Sequence, residues 1–141
     1  MSSFKTYNAG DVSIVLGAIL IDGYADGEFV SVAQDENTFD LYVGSKGEST
    51  RSLSNNRSAT ITFTVQQTAD CNDLLTALHE LDRTTNKGAV PLVIRDNSGR
   101  QVYAASKAWI EKPPQAAFGR ETGTRQWTIR THELIAYYGG N

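Results

Sequence analysis

SATITFTVQ, residues 58–66, alternates apolar and polar side chains along its whole length. A period of two residues predicts a β-strand with one face against a core and the other face away from it. The polar face is unusual, because an ordinary solvent-facing strand carries Lys, Glu or Arg rather than small uncharged threonines. Two interpretations stay open, a plain exposed threonine ladder or a sheet that continues across subunits and faces water. The expected core face holds Ala59, Ile61, Phe63 and Val65, and the polar face holds Thr60, Thr62, Thr64 and Gln66.

Four runs before this stretch also predict strands, at residues 11–16, 18–21, 28–34 and 37–43. The last of them also alternates, although less regularly than SATITFTVQ does. The polar residues 35–37 in front of it predict the turn of a hairpin. We expect Phe39, Leu41 and Val43 in the core, and Thr38 and Asp40 on the same polar face as the threonines.

Residues 44–57 contain Gly, Ser, Thr, Asn and charged side chains, with Leu53 as the only large apolar one. Loops of this length without their own structure are uncommon in compact domains and are usually functional or disordered. Each arm of about seven residues could span roughly 23 Å, whereas a globule of this size has a radius of gyration of about 14 Å. We therefore expect a projecting loop that contacts a neighbouring molecule. The candidate contact residues are Lys46, Glu48, Arg51, Leu53, Asn55, Asn56 and Arg57.

The second half of the chain predicts one helix followed by three strands. Residues 68–82 carry Leu74, Leu75, Leu78 and Leu81 at helical spacing, which would place one face of the helix on a sheet. Strands are predicted at 90–95, 101–110 and 124–138, with a second loop at 115–123. The fold class is therefore mainly β, a β-sandwich or partial barrel with one flanking α-helix, and we expect a single domain over residues 1–141.

Charge is divided unevenly along the chain. The 141 residues carry a net charge of −3 and a pI near 5.3, which disfavours a protein that grips nucleic acid with a basic face. Residues 1–43 hold one Lys against seven acidic residues, whereas residues 84–141 hold eight Lys and Arg against four acidic residues. Either these ends lie together inside one fold, or unlike edges of identical subunits meet head to tail.

The sequence offers little chemistry. Cys71 and His79 would lie about 12 Å apart along the predicted helix, too far for a hydrogen-bonded nucleophile and base, even though the helix dipole could lower the pKa of the thiol. One cysteine and two distant histidines make no plausible zinc site, and Asp22, Asp26 and Glu28 lack the spacing of a calcium loop. We expect no enzyme, no cofactor and no metal. The longest apolar run, residues 14–21, is too short to span a membrane.

The order of these segments resembles that of bacteriophage tail tube proteins, particularly those of contractile-tailed phages, which share their fold with the tube protein of type VI secretion systems. The resemblance covers nearly the whole chain. It rests on the opening YNAGDVSIVLGAILIDGYADGEFVSV, the alternating ENTFDLYVG, the polar loop SKGESTRSLSNNRS, the strand SATITFTVQQT leading into the helix ADCNDLLTALHELD, the hairpin GAVPLVIRDNSGR and the final strand RQWTIRTHELIAY.

The resemblance implies that subunits close a hexameric ring, that their inner sheets join into one barrel, and that rings stack into a tube through which the genome is ejected. Residues 44–57 would then contact the next ring, and the polar face would line a neutral or acidic lumen without Lys or Arg. Implied partners are further copies of the chain and the tail sheath, baseplate and tail terminator proteins. DNA would pass without specific binding, in a virion tail assembled in the host cytoplasm.

A different class stays open beside this one. Several aromatic residues on the late strands could form a stacking surface, which would suit a monomeric β-sandwich module that binds carbohydrate or single-stranded nucleic acid. They are Tyr103, Trp109, Trp127, Tyr137 and Tyr138.

Overall fold

The structure is a computed structural model, and it describes residues 4–97 and 99–140. A short 3₁₀ turn, Ala9–Asp11, leads into the first strand. The elements that follow are β1 (Val12–Leu16), β2 (Ile19–Ile21), β3 (Val30–Gln34), β4 (Phe39–Val43), β5 (Ser49–Leu53), β6 (Ala59–Gln66), α1 (Cys71–Thr85), β7 (Val90–Asp96), β8 (Gln101–Lys112), β9 (Thr124–Thr131) and β10 (Leu134–Tyr138).

Most of the strands form one antiparallel sheet in the order β2-β1-β7-β8-β9-β6-β3. The long strand β8 is paired by β10 over Gln101–Ala105 and by β9 over Ala108–Lys112. The predicted final strand 124–138 is therefore β9 and β10, separated by a bend at residues 132–133. The prediction of a mainly β fold with one helix is confirmed.

The core lies on one face of this sheet. Alternation along β6 buries Ala59, Ile61, Phe63 and Val65 completely, as predicted. These side chains join apolar residues of β1, β7, β8 and β9 and of α1 in one cluster. Because the cluster is built from one face of one sheet and a single helix, the sheet must curve around it. Of the two architectures expected, a β-sandwich or a partial barrel, one main sheet around one core corresponds to the partial barrel.

Helix α1 packs against the core with fewer of its leucine side chains than the sequence predicts. Leu75 is fully buried and Leu78 packs against the core, but Leu74 is 54% and Leu81 46% exposed. The expectation that all four leucines face the sheet was wrong, because each residue turns an α-helix by about 100° and these two lie on its flank. The helix ends at Asn86, whose φ of 58° is left-handed.

The segment between β3 and β6 differs most from expectation. Strand β3 pairs with β6, and β4 pairs with β5 in a separate two-stranded hairpin that turns at residues 44–48. The predicted turn at 35–37 and the predicted structureless loop at 44–57 were therefore wrong. Phe39, Leu41 and Val43 were expected in the core but are 45%, 71% and 56% exposed, because no segment in the part of the chain that the structure describes forms a second layer over the hairpin.

Candidate assembly surfaces

The polar face of β6 is built as the alternation predicts. Thr60, Thr62 and Thr64 are half-buried and Gln66 is exposed, all on the side opposite the core. The threonines are half-buried because β3 and β9 flank β6 on its two sides. The structure thus brings together four of the six residues expected to line a channel.

Thr38 and Asp40, the other two, lie elsewhere. Asp40 belongs to the hairpin, where it is opposite Ser52 and accepts a hydrogen bond of 3.2 Å from the Asn37 amide. Thr38 precedes the hairpin, and its hydroxyl accepts a hydrogen bond of 3.1 Å from the side-chain amide of Gln34. Because β4 pairs with β5 and not with the main sheet, grouping these two with the β6 threonines was wrong for a single subunit.

Strands β8 and β9 widen the polar face. Register places Thr128 opposite Thr62 and Arg130 opposite Thr60, and Lys112 of β8 stands opposite Thr128. Residues directly opposite each other in an antiparallel pair share a face. The expectation of a face without Lys or Arg was therefore wrong for the sheet as a whole. The signal was present in TRQWTIRT, residues 124–131, which alternates like β6.

The charge of Arg130 is held between two carboxylates. Its guanidinium lies 3.2 Å from Asp35 and 3.2 Å from Glu111. Asp35 also accepts hydrogen bonds of 2.6 Å from the hydroxyls of Ser58 and Thr60. Partial burial acts to raise the pKa of Asp35, but these hydroxyl bonds and the Arg130 charge outweigh it and lower the pKa. This ion pair joins the acidic first third and the basic last third of the chain within one subunit.

The same carboxylate stabilises the base of the hairpin, where residues 35–38 and 54–58 lie side by side; we call this the hairpin root. Asp35 precedes β4 and Ser58 follows β5. The Ser58 hydroxyl donates to the Asp35 carboxylate, and the backbone N–H of Asp35 donates to the Ser58 carbonyl at 3.1 Å. Further out, the Ser54 hydroxyl donates to Glu36 at 2.9 Å and the Ser54 amide to the Thr38 carbonyl at 2.8 Å. Both legs of the hairpin are thus joined to each other and, through Arg130, to the main sheet.

The hairpin itself presents one apolar face, which we call the hairpin face: Phe39, Leu41, Val43 and Leu53, with the Arg51 guanidinium 4.2 Å from the centre of the Phe39 ring. Lys46 lies in its turn, and the Glu48 carbonyl accepts from the Gly44 amide at 2.7 Å. Asn55, Asn56 and Arg57 lie in the segment that leads back to β6. A cleft of about 560 Å³ separates the hairpin root from β10.

Cys71 is a buried thiol that donates a hydrogen bond of 3.3 Å to the Asp22 carbonyl. Burial raises its pKa, which opposes the lowering that the helix dipole would give. Within residues 4–97 and 99–140, no group of three His, Cys, Asp or Glu side chains is placed to hold a metal ion.

Comparison with known proteins shows which family the chain belongs to. The model of a family described as the bacteriophage PhiTE tail tube protein matches residues 1–139. The chain belongs to this phage tail tube family. One relative is "Structural protein ORF10" of Pseudomonas phage KPP10. It is 35% identical to this chain over 145 residues, and the alignment covers 97% of this chain and 84% of the relative. The chain is therefore a structural component of the phage tail.

Solved structures with the same fold come from contractile injection systems. The tube-terminating cap of the anti-feeding prophage has a TM-score of 0.57 at 14% identity, covering 97% of this chain and 94% of the cap. The PVC sheath/tube terminator has a TM-score of 0.59 at 11% sequence identity, and the match covers 96% of this chain and 99% of the terminator. A chain of the PVC sheath-tube complex has a TM-score of 0.54 at 14% identity, and the match covers 94% of this chain and 91% of that chain. At these identities the likeness shows the fold alone. In the described part of this tail tube family member, no helix is long and apolar enough to cross a membrane.

Proposed function

We propose that this tail protein forms hexameric rings that stack into the tube, with the polar face of β6 lining a lumen that conducts DNA during genome ejection. The observation that carries the proposal is the free edge beside that face. In the described residues, β3 pairs with β6 only, so its other edge presents unpaired backbone groups. Such an edge is a template for another strand, and a neighbouring subunit supplies one in a closed ring.

The part of the proposed lumen wall that β6 supplies consists of side chains that bind DNA weakly. Thr60, Thr62, Thr64 and Gln66 carry no charge, and the two carboxylates beside Arg130 offset its charge. Cationic side chains release counterions when they bind DNA, so a wall of free Lys or Arg would hold the passing duplex. Lys112 is an exposed cation on this face, at the end of β8. We assign it no neutralising partner within the subunit.

The hairpin supplies the contact between stacked rings. It replaces the projecting loop of the sequence prediction, and Lys46, Glu48, Arg51, Leu53, Asn55, Asn56 and Arg57 remain the proposed contact residues. We place the tail sheath, the baseplate and the tail terminator among its partners, and we assign the protein no catalytic role.

Analytical ultracentrifugation with negative-stain microscopy tests this proposal. We expect rings or tubes at high protein concentration, with sedimentation coefficients well above that of a monomer of 15.4 kDa. A protein that stays monomeric at every concentration would overturn the proposal and favour the binding-module alternative.

A further inference from the structure

The strands that carry the polar face of β6 end in two free edges. On one side, β3 pairs with β6 and, in residues 4–97 and 99–140, with no other strand. On the other side, β7 pairs with β8 only as far as Ala108, so residues 109–112 of β8 lie beside β9 alone in the part of the chain that the structure describes. We call β3, β6, β9 and this end of β8 the polar ribbon.

The backbone of β3 alternates between β6 and the free edge. The Phe29 carbonyl accepts a hydrogen bond from β6, and the Asp35 amide donates one to the residue that precedes β6. Because bonded and non-bonded pairs alternate along an antiparallel ladder, the backbone groups of Val30, Val32 and Gln34 point to the free edge. The five residues of β3 include no charge and no proline, which ordinarily keep an edge from pairing.

The free end of β8 offers a matching arrangement. The His132 amide donates to the Lys107 carbonyl, so the same alternation points the backbone groups of Ile110 away from β9. Ile110 is buried on the core face, and Val30 and Val32 also pack against the core. Directly opposite residues share a face. A pair between Ile110 and an edge residue of β3 would therefore keep both faces of the sheet continuous.

Strand direction distinguishes this pairing from the alternatives in the main sheet. Every pair in the sheet is antiparallel, so β3 runs in the same direction as β2 and β10 and opposite to β8. Copies in a ring are related by rotation about its axis, which preserves the direction of each strand along that axis. The β3 edge of one copy would thus meet β8 antiparallel but would meet β2 or β10 parallel, and parallel pairing is slightly less stable.

We propose that the free edge of β3 pairs with residues 109–112 of β8 in a neighbouring copy of this chain. The inference rests on the proposed ring and names the two strands that close it. The contact is short, because a β-bulge lies between Ile110 and Lys112 and a proline follows at position 113. Pairing of β3 with a second β3 would close a twofold dimer, whereas β3 on β8 is head to tail and closes a ring.

Cross-linking within a double variant tests the pairing. Ser31 and Lys112 are exposed on the polar face, and in one subunit they lie three strand spacings apart, about 14 Å. The variant carries Ser31→Cys and Lys112→Cys in a Cys71→Ser background and is treated with a bifunctional maleimide too short to span that distance. We expect a ladder of covalent oligomers larger than a dimer on a denaturing gel, because each copy is linked to two neighbours. Ala33→Cys in place of Ser31→Cys covers the adjacent register.

The matched control moves one cysteine to another free edge. It combines Ser31→Cys with Leu20→Cys, since Leu20 is 60% exposed on β2. We expect no ladder from this control or from either single-cysteine variant. A ladder from the Leu20 control at an equal yield would overturn the pairing in favour of β2. Dimers from Ser31→Cys alone would also overturn it, because β3 would then meet β3.

Negative-stain microscopy of the same samples separates this inference from the proposed function. Rings or tubes without a ladder from both the Ser31 and the Ala33 variants would overturn the pairing of β3 with β8 and leave the proposed ring intact. A ladder without tubes would support the pairing and overturn the proposed stacking.

Discussion

Replacing Asp35 with Asn removes the charge at the centre of the hairpin root with almost no change of shape. The carboxylate accepts two hydroxyl hydrogen bonds of 2.6 Å and pairs with Arg130 at 3.2 Å. The Asn amide keeps one acceptor oxygen and turns a donor toward the remaining donors. The variant therefore tests whether this carboxylate stabilises the fold.

The expected cost follows from these contacts. A hydrogen bond to a charged group contributes about 1.5–3 kcal/mol. The Arg130 side chain is 38% exposed, so its ion pair contributes less, about 1 kcal/mol or below. Because one neutral hydrogen bond survives in the variant, we expect Asp35→Asn to lower the free energy of unfolding by about 2 kcal/mol at neutral pH.

The effect should depend on pH. The folded pKa of Asp35 lies below its ordinary value of 3.8, so its stabilisation is complete above that value and is lost as the pH falls through the folded pKa. The difference in stability between the wild type and Asp35→Asn should therefore narrow below about pH 4.

Urea unfolding at fixed protein concentration, followed by fluorescence of the buried Trp127, measures this difference. The matched control is Asp40→Asn, since Asp40 is an exposed carboxylate with one hydrogen bond of 3.2 Å. The Asp35 carboxylate does not stabilise the fold in this way if Asp35→Asn is as stable as Asp40→Asn at neutral pH, or if the stability difference between Asp35→Asn and the wild type is the same at pH 3 as at neutral pH.

Three further outcomes follow from the surfaces. Thr62→Lys adds a cation to the proposed wall and should slow genome delivery in infection assays, with the defect eased by salt, whereas an equal defect in Thr62→Gln would contradict the electrostatic cause. Replacing residues 39–53 with a short Gly-Ser turn keeps the contact between Thr38 and Ser54, so circular dichroism should show a folded domain while microscopy shows no long tubes; tubes of normal length would refute the stacking role. Cys71 is 4% exposed and its pKa is raised, so a thiol reagent should modify it only on unfolding, and rapid labelling of the native protein would disprove its burial.

Alternation predicted the part of the fold that is decided locally. In β6 one side of a period-two pattern packs into the core cluster, so Ile61 and Phe63 were placed in the core from sequence alone. In β4 the same pattern was misleading, because Leu41 and Val43 alternate toward a face that stays exposed among residues 4–97 and 99–140. Periodicity reports that a face is apolar and does not report which molecule covers it.

Pairing between distant strands limited the site prediction. Arg130 joins the polar face only because β9 pairs with β6, and Asp35 reaches it from the end of β3. No local pattern connects these residues, which are far apart in the chain.

Labelling of a cysteine at position 62 in assembled tubes shows on which side of the tube wall the β6 face lies. The variant is Thr62→Cys in a Cys71→Ser background, treated with a small maleimide and with the same group on a large polymer. If the β6 face lines the lumen, the small reagent should label tubes and the large one should not, while dissociated subunits react with both. Equal labelling of intact tubes by both reagents would place this face on the outside and exclude it from the lumen wall.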